Sequence, residues 1–273
     1  MHKVEVRSEV WMAYEDDWFG KPWSIPETVV MVHGNCESSR AWSPWVPHLA
    51  GQYRVVRLDL PGFGASSEPP SYGWSPAELA ADIAHFLDAM AIGACHLIGA
   101  KYGGSACMQL ASDHPHRILS LCLFGSPVRG SGPGNADGIR AKGVRQWAAD
   151  TMQTRLGSTA SDAQVGWWID LMGGANERAA LGASSARIGM DLEAGLWRIS
   201  APTLIVTTQE SGLQSVEEVE RYAARIPDAR VIVLTGDSFH IAAVEPDLCA
   251  QHALRFMQEV SARKVTPLPK VAY

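Results

Sequence analysis

Short runs of consecutive apolar residues recur along the chain, separated by stretches in which apolar residues follow the spacing of a helix. Uninterrupted apolar runs are typical of strands buried on both faces of a parallel sheet. An edge hairpin is predicted over residues 4–14, and strands are predicted at Thr28–Val32, Tyr53–Leu60, His96–Ile98, Ile118–Phe124, Pro202–Thr207 and Ala229–Leu234. Strands that alternate with helices predict β-α-β crossovers and a mainly parallel sheet of about eight strands.

The alternation stops after Pro127 and resumes at about residue 200. The residues between show only helical periodicity and carry four tryptophans, among them Trp147 and Trp168. An all-helical insertion in an α/β alternation predicts a cap laid over the carboxyl edge of the sheet. The predicted organisation is therefore a core of residues 1–127 and 200–264, a helical cap of residues 128–199, and a tail of residues 265–273.

Composition excludes several classes of protein. The chain has 273 residues, enough for one large α/β domain, and its net charge of −6 argues against nucleic acid or an anionic membrane surface as a partner. No apolar signal segment or membrane-length run is present, so a cytoplasmic location is expected. Five cysteines without a C-x-x-C pair predict neither a disulfide framework nor a metal site. The expected partner is a small-molecule substrate, without a cofactor, and a homodimer is left open.

The residues from Gly99 to Gly103 predict a sharp turn between a strand and a helix. Such a turn leaves no room for neighbouring side chains, and the pattern G-x-S-x-G describes it when the tip carries a nucleophilic serine. Here the tip is Lys101. Burial and the positive end of the following helix would lower the pKa of its amine. A neutral amine could form a Schiff base or move a proton, a charged one could hold a carboxylate, and a third alternative is a plug without catalytic role.

Four features in this order resemble the α/β-hydrolase superfamily: His33-Gly34 with Trp42 downstream, the run Asp59–Ser66, the glycine-flanked turn, and a histidine before the last helix. The resemblance covers about residues 4 to 263. It implies the α/β-hydrolase fold, with a mainly parallel eight-stranded sheet and a helical cap. The cap and its tryptophans look most like the enol-lactonase and C–C-bond hydrolase branches.

The resemblance also implies roles for particular residues. Family members form an oxyanion hole from two backbone N–H groups, which correspond here to those of Asn35 and Tyr102. His240 falls where the family keeps its general base. The family's acid position falls on Ser211, which is predicted to contact the substrate. Its neighbour Glu210 is the candidate acid that orients His240 if the loop is shifted by one residue, and the alternative is a solvated Glu210.

The cap contributes further candidates. Trp147 and Trp168 are predicted to contact the substrate. The arginines Arg140, Arg145 and Arg155 are interpreted as solvated surface charges, with contact to an acidic substrate as the alternative.

Two functions remain open on these residues. The first is a cofactor-independent enzyme of hydrolase or lyase type that acts on a small carbonyl, lactone or carboxylate compound, with Lys101 at the turn and His240 as general base. The alternative is a non-catalytic pseudo-hydrolase that binds a small molecule in the same pocket. Both need the turn glycines, so the sequence does not separate them.

Overall fold

The computed structural model describes residues 1–130 and 132–265. The described chain contains one sheet of eight strands: β1 His2–Arg7, β2 Val10–Asp17, β3 Thr28–Val32, β4 Arg54–Leu58, β5 Cys95–Ala100, β6 Ile118–Phe124, β7 Thr203–Thr208 and β8 Ala229–Leu234. The spatial order is β1-β2-β4-β3-β5-β6-β7-β8. The first two strands pair antiparallel with each other and β2 pairs antiparallel with β4, whereas all other pairs are parallel.

Helices cover the two faces of this sheet. They are α1 Val46–Leu49, α2 Pro76–Ala89, α3 Lys101–Asp113, α4 Gly134–Leu156, α5 Asp162–Gly173, α6 Glu177–Ala186, α7 Val216–Ala223, α8 Ile241–Val244 and α9 Pro246–Val265. The helix α2 begins with a capping box, in which Ser75 and Glu78 satisfy each other's backbone N–H groups. The helix α4 is kinked at Gly143, where φ is 76°.

The central strands coincide with the apolar runs from which strands are predicted. All six residues of β5 are buried, as are all six of β7. This burial follows from the parallel pairing, because crossover helices cover both faces of a parallel sheet. The predicted mainly parallel eight-stranded sheet is confirmed.

The segment between β6 and β7 contains α4, α5 and α6, followed by a 3-10 turn at Glu193–Arg198. Its contribution to β structure within the described residues is one isolated bridge between Arg129 and Asp191. The division into core and cap stays a prediction, and the predicted tail lies, from residue 266 on, outside the described residues. No helix of the described chain has both the length and the apolar composition to cross a membrane.

Candidate active site

The turn between β5 and α3 brings Lys101 to the carboxyl edge of the sheet. Its φ is 51°, in the left-handed region that a residue with a side chain adopts at a cost of about 1–3 kcal/mol. The turn is also tight, since a Cβ added to Gly103 would lie 2.1 Å from the carbonyl oxygen of His33. Surrounding packing must therefore hold this conformation against its intrinsic strain.

The Lys101 amine is buried and unpaired. The residue is 7% exposed, and its Nζ has no hydrogen-bond partner among the residues that the structure describes. The Nζ lies 4.3 Å from the centre of the Phe239 ring. Burial lowers the pKa of Lys101 well below its ordinary value, and the charges of Arg155 and Arg187 act in the same direction against the opposing carboxylate of Glu37. The site therefore favours a neutral amine.

His240 lies beside a carboxylate from a distant part of the chain. Its Nε2 is 2.9 Å from Oε1 of Glu37, and both side chains are buried. The contact is an ion-pair contact without the alignment of a hydrogen bond, and Nδ1 has no partner within the described structure. Burial lowers the pKa of His240, partly offset by Glu37. Burial alone would raise the pKa of Glu37, but the adjacent His240 outweighs it and lowers that pKa to about 2, so the carboxyl is ionised at neutral pH.

Glu37 is positioned by the loop that follows β3. The N–H of Gly34 donates a hydrogen bond of 3.1 Å to Oε2 of Glu37. His33 ties this loop to the end of β4, because its Nε2 accepts from the N–H of Leu60 at 3.0 Å while its Nδ1 lies 2.7 Å from the Gly34 carbonyl. Since Leu60 donates, the His33 proton sits on Nδ1. The carboxylate is thus fixed before any ligand binds.

The histidine loop is fixed from the other side by the end of α4. The His240 N–H donates to the Arg155 carbonyl at 3.1 Å and to Oγ of Ser238 at 3.0 Å. The Ser238 hydroxyl in turn donates to the same Arg155 carbonyl at 3.1 Å. The segment between β6 and β7 therefore takes part directly in holding the site.

A cavity of about 180 Å³ opens beside these groups. Three basic side chains reach its wall, and no acidic residue belongs to the described lining. The lining consists of Asn35, Lys101, Tyr102, Pro127, Asn135, Trp147, Arg155, Arg187, Leu213 and Phe239. The cavity is thus a positively charged chamber with aromatic walls.

Arg155 corrects one prediction from the sequence. Arg140 and Arg145 are exposed and paired with Asp137 and Asp170, as expected of surface charges. Arg155 is instead 6% exposed, because it falls on the same face of α4 as the buried residues Trp147 and Met152. Its guanidinium lies 4.5 Å from the Trp147 ring centre, and burial lowers its pKa to about 10, so it stays charged at neutral pH.

Four other predicted residues lie at or near the cavity. Asn35 and Tyr102 line it, although the Asn35 amide donates to Oγ of Ser184 at 2.9 Å and the Tyr102 hydroxyl donates to the Trp74 carbonyl at 2.7 Å. The Asn35 amide nitrogen and the Tyr102 hydroxyl are therefore engaged, whereas Oδ1 of Asn35 is buried without a hydrogen-bond partner among the described residues. Trp147 lines the cavity, and the Trp168 ring centre lies 4.7 Å from that of His240.

The two residues predicted at the acid position are not brought to His240. Glu210 is exposed, and its N–H donates to the Gly236 carbonyl at 3.0 Å, which continues the pairing of β7 with β8 beyond the strand ends. Ser211 is half-buried, and its Oγ lies 3.4 Å from the N–H of Leu213. The carboxylate that contacts His240 in the described structure is that of Glu37.

Several residues of the site carry no prediction from the sequence, among them Glu37, Arg187 and Phe239. Glu37 follows the strand β3 by five residues, in a loop where no apolar periodicity indicates which side chains are buried. Arg187 is the C-cap of α6 and follows the buried Ala183 by four residues, so it continues the buried face of that helix. Phe239 directly precedes His240, and neither the motifs nor the apolar periodicity of the sequence indicates it.

The geometry agrees with comparisons to known proteins. A family model described as the alpha/beta hydrolase fold matches residues 27–165. A pimeloyl-acyl-carrier-protein methyl ester esterase from Aeromonas hydrophila is 32% identical over 227 residues, which cover 76% of this chain and 85% of the esterase. The chain belongs to the alpha/beta hydrolase fold family. This α/β-hydrolase assignment confirms the resemblance inferred from the four motifs, and the family is one of hydrolase-type enzymes.

Two more relatives of this α/β-hydrolase are informative. A protein from Variovorax paradoxus that is named as a carbamate hydrolase is 29% identical over 257 residues, which cover 86% of this chain and 93% of the relative. The crystal structure of the enol-lactonase from Burkholderia xenovorans LB400 superposes with a TM-score of 0.84, at 21% identity, over 93% of this chain and 99% of the lactonase. At that identity the lactonase supports the fold and not the substrate.

Among the described residues, no group of three or more His, Cys, Asp or Glu side chains is arranged to hold a metal ion. The five cysteines are buried and free, and burial raises the pKa of Cys36, the one nearest the site, to about 12. A thiol in that state is a poor nucleophile, because the thiolate is the reactive form.

Proposed function

We propose that this α/β-hydrolase is a cofactor-independent enzyme that acts on a small carbonyl, lactone or carboxylate compound through the Lys101 amine. The observation that carries the proposal is the state of that amine: it is buried and unpaired at the tip of a strained turn, and it belongs to the cavity lining. The left-handed backbone at Lys101 and its buried amine, which has no partner among the described residues, each lower the stability of the folded protein. Destabilising features of this kind cluster at functional sites.

The chemistry follows from a neutral amine beside a neutral imidazole. The Lys101 nitrogen attacks the carbonyl carbon and forms a carbinolamine, and the carbonyl oxygen takes the electron pair of the broken π bond. Backbone N–H groups at Tyr102 and Asn35 are the donors for that oxygen. Tyr102 is the second residue of α3, so its N–H has no acceptor within the helix. Loss of water then gives an imine.

His240 acts in this scheme as the general base. It takes the first proton that the attacking amine loses and passes it to the carbonyl oxygen, which becomes the hydroxyl of the carbinolamine. It then moves the second nitrogen proton to that hydroxyl, so that water leaves. Glu37 is ionised beside it and stabilises the imidazolium that forms transiently. This carboxylate comes from the loop after β3, in contrast to the loop after β7 where the sequence predicts it.

A turnover assay tests the proposal. Purified protein is incubated at pH 7 to 9 with a panel of small 2-oxo acids, aldehydes, lactones and esters, and products are followed by ¹H NMR. We expect at least one compound to be converted by the wild type and left unchanged by Lys101→Met and by His240→Gln. The matched control is Lys142→Met, since Lys142 is an exposed lysine paired with Asp150. Conversion that survives in Lys101→Met would contradict the proposal.

The second candidate function is a non-catalytic binding module. The observation that favours it is the contact of Glu37 with Nε2 of His240, which occupies one of the two ring nitrogens that could serve a substrate. Binding of a panel compound with the same affinity in wild type and His240→Gln, without turnover of any compound, would favour this alternative.

A further inference from the structure

The Lys101 amine and the Arg155 guanidinium lie in the wall of the same cavity. The Lys101 Nζ is 4.3 Å from the centre of the Phe239 ring, and the Arg155 guanidinium carbon is 5.9 Å from it. Both side chains are buried, and Nζ has no hydrogen-bond partner among the described residues. Arg155 forms no ion pair in the described part of the chain, and its Nε donates to a neutral hydroxyl, that of Thr151, at 3.0 Å. The cavity thus contains an unpaired amine together with a buried cation that has no counter-charge among the described residues.

A lysine amine is a nucleophile in its neutral form, and the surroundings of Lys101 favour that form. Burial and the positive charge of Arg155 both lower the pKa of Lys101. Glu37 acts in the opposite direction, but its carboxylate is engaged by His240 and by the Gly34 N–H. Lys101 therefore differs from an exposed lysine, whose amine is protonated at neutral pH and does not react with weak electrophiles.

Carbon dioxide is a small electrophile that a neutral amine attacks at carbon. The cavity of about 180 Å³ is several times larger than the volume of about 30 Å³ that a water molecule occupies, so an added group of three heavy atoms fits. The product is an anion, and no acidic residue of the described lining would repel it. Arg155 provides the complementary charge, since a guanidinium binds a carboxylate through two parallel hydrogen bonds.

We propose that Lys101 is a site of reversible carbamylation by carbon dioxide, with the resulting carbamate held by Arg155. The Lys101 nitrogen attacks the carbon of CO₂, a C–N bond forms, and the electron pair of one C=O π bond moves onto oxygen. The nitrogen then loses one proton, which is released to solvent, and a carbamate of charge −1 replaces the neutral amine. The step needs no reactant other than CO₂, and loss of CO₂ with return of the proton reverses it.

The carbamate relieves two unfavourable features of the unmodified cavity. Its oxygens supply the ion pair that Arg155 lacks among the described residues, and the unpaired amine is converted into a group that Arg155 binds. The electron pair of a carbamate nitrogen is delocalised into the carboxylate, so the modified Lys101 no longer attacks a carbonyl carbon. Carbon dioxide is thus a reversible block on the amine chemistry proposed above, although the modification itself does not depend on that chemistry.

Chemical trapping of the carbamate tests the proposal. The protein is equilibrated with ¹³C-labelled bicarbonate at pH 8 and treated with triethyloxonium tetrafluoroborate, which converts carbamates into stable ethyl esters, and its peptides are mapped by mass spectrometry. We expect a labelled ester on the peptide that contains Lys101, in a fraction at least about tenfold above that at the exposed Lys142, because an amine of pKa about 10.4 is less than about 1% neutral at pH 8. The amino group of Met1 is the positive control for the trapping, since α-amino groups titrate at about pH 8 and react with CO₂.

Variants then locate the carbamate. Lys101→Met should lose the labelled ester from this peptide, whereas Lys142→Met should keep it. Arg155→Met should lower the labelled fraction at Lys101 by at least about tenfold at subsaturating CO₂, as expected for the loss of a charge-assisted hydrogen bond. Arg145→Met is the matched control and should be labelled like the wild type, because Arg145 is an exposed arginine on the same helix and pairs with Asp170. If Arg155→Met does not fold, the comparison of Lys101 with Lys142 in the wild type decides alone.

A trapped Met1 amine without a labelled ester at Lys101, equal labelling of Lys101 and Lys142, or unchanged labelling in a folded Arg155→Met would overturn the proposal. These outcomes are distinct from a failure of the proposed function. Turnover through Lys101 by a protein that forms no carbamate there would overturn the carbamylation and leave the proposed function intact. A carbamate at Lys101, without turnover of any panel compound in CO₂-free buffer, would support the carbamylation and contradict the proposed function.

Discussion

The Nε2 of His240 lies 2.9 Å from Oε1 of Glu37, although 203 residues of chain separate the two side chains. One stands in the loop after β3 and the other in the loop after β8, and both loops end at the carboxyl edge of the sheet. Parallel strands bring such loops together, which is why ligand sites of open α/β sheets lie at this edge. The pair joins the predicted general base to a carboxylate that the motifs do not indicate.

The titration of His240 should depend on Glu37. Replacing the carboxylate in Glu37→Gln removes a group that favours the imidazolium, so the pKa of His240 should fall further below its ordinary value. The measurement is the pH dependence of the imidazole signals by ¹H–¹⁵N NMR. The comparison variant is Glu210→Gln, in which the His240 titration should match the wild type because Glu210 is exposed and away from the ring. A shift in Glu210→Gln and none in Glu37→Gln would reverse the assignment.

The buried Lys101 amine should lower the free energy of unfolding relative to variants that lack it. Lys101→Met keeps an unbranched side chain and removes the unsatisfied amine, so we expect it to raise the free energy of unfolding by about 1 kcal/mol or more at pH 7. Lys101→Gly should also stabilise, by relieving the left-handed backbone, by about 1 kcal/mol. Urea unfolding measures both. Destabilisation by both variants would mean that Lys101 holds the fold together.

The gain from Lys101→Met should depend on pH in one direction. The pKa of Lys101 is lowered in the folded protein, and its ordinary value is 10.5. At pH values between the lowered pKa of the folded protein and 10.5, the unfolded chain binds more protons than the folded one. The free energy of unfolding of the wild type therefore rises with pH over this range. The advantage of the variant should therefore shrink toward pH 10.5, with a slope of at most about 1.4 kcal/mol per pH unit. A constant difference from pH 7 to 10 would show that the amine titrates normally.

Installing a serine should not create an efficient esterase. In Lys101→Ser the Glu37 carboxylate would still occupy Nε2, the ring nitrogen that would have to take the serine proton, and Nδ1 would have no acid to orient it among the described residues. A serine nucleophile needs a base whose other ring nitrogen is oriented by an acid, and loss of that acid costs about 10⁴-fold in rate. Hydrolysis of p-nitrophenyl acetate should accordingly be slow in Lys101→Ser. It should rise in the double variant with Ser211→Asp, which adds an acid at the position predicted from the motifs.

Much of the fold was accessible from the sequence because its signals are local. The runs at β3, β6 and β8 match the observed strands residue for residue. For β3 and β6 the signal comes from burial within the sheet, whereas β8 is an edge strand whose residues are half-buried or exposed. The turn at Lys101 was accessible for a steric reason, as Gly103 leaves no space for a Cβ. The strand β7 ends at Thr208, one residue beyond the predicted Thr207, a difference that is common at the ends of strands.

The charges of the site were harder to predict because burial of a single polar residue leaves no periodic trace. Arg155 was interpreted as a surface charge by its type, yet its position on the inner face of α4 places it in the cavity wall. Glu37 lies in a loop, where no repeat of apolar residues indicates which side chains point inward. Its contact with His240 depends on two loops meeting across the sheet edge, and that is a property of tertiary structure.

Reductive trapping tests the central claim, that the Lys101 amine reacts as a neutral nucleophile, most directly. The protein is incubated at pH 8 with small 2-oxo acids and aldehydes in the presence of sodium cyanoborohydride, digested, and mapped by mass spectrometry. The account predicts a reduced adduct on the peptide that contains Lys101, formed much faster than on the exposed Lys142, and absent from Lys101→Met. Equal labelling of Lys101 and Lys142, or no adduct at Lys101 with any compound of the panel, would contradict it.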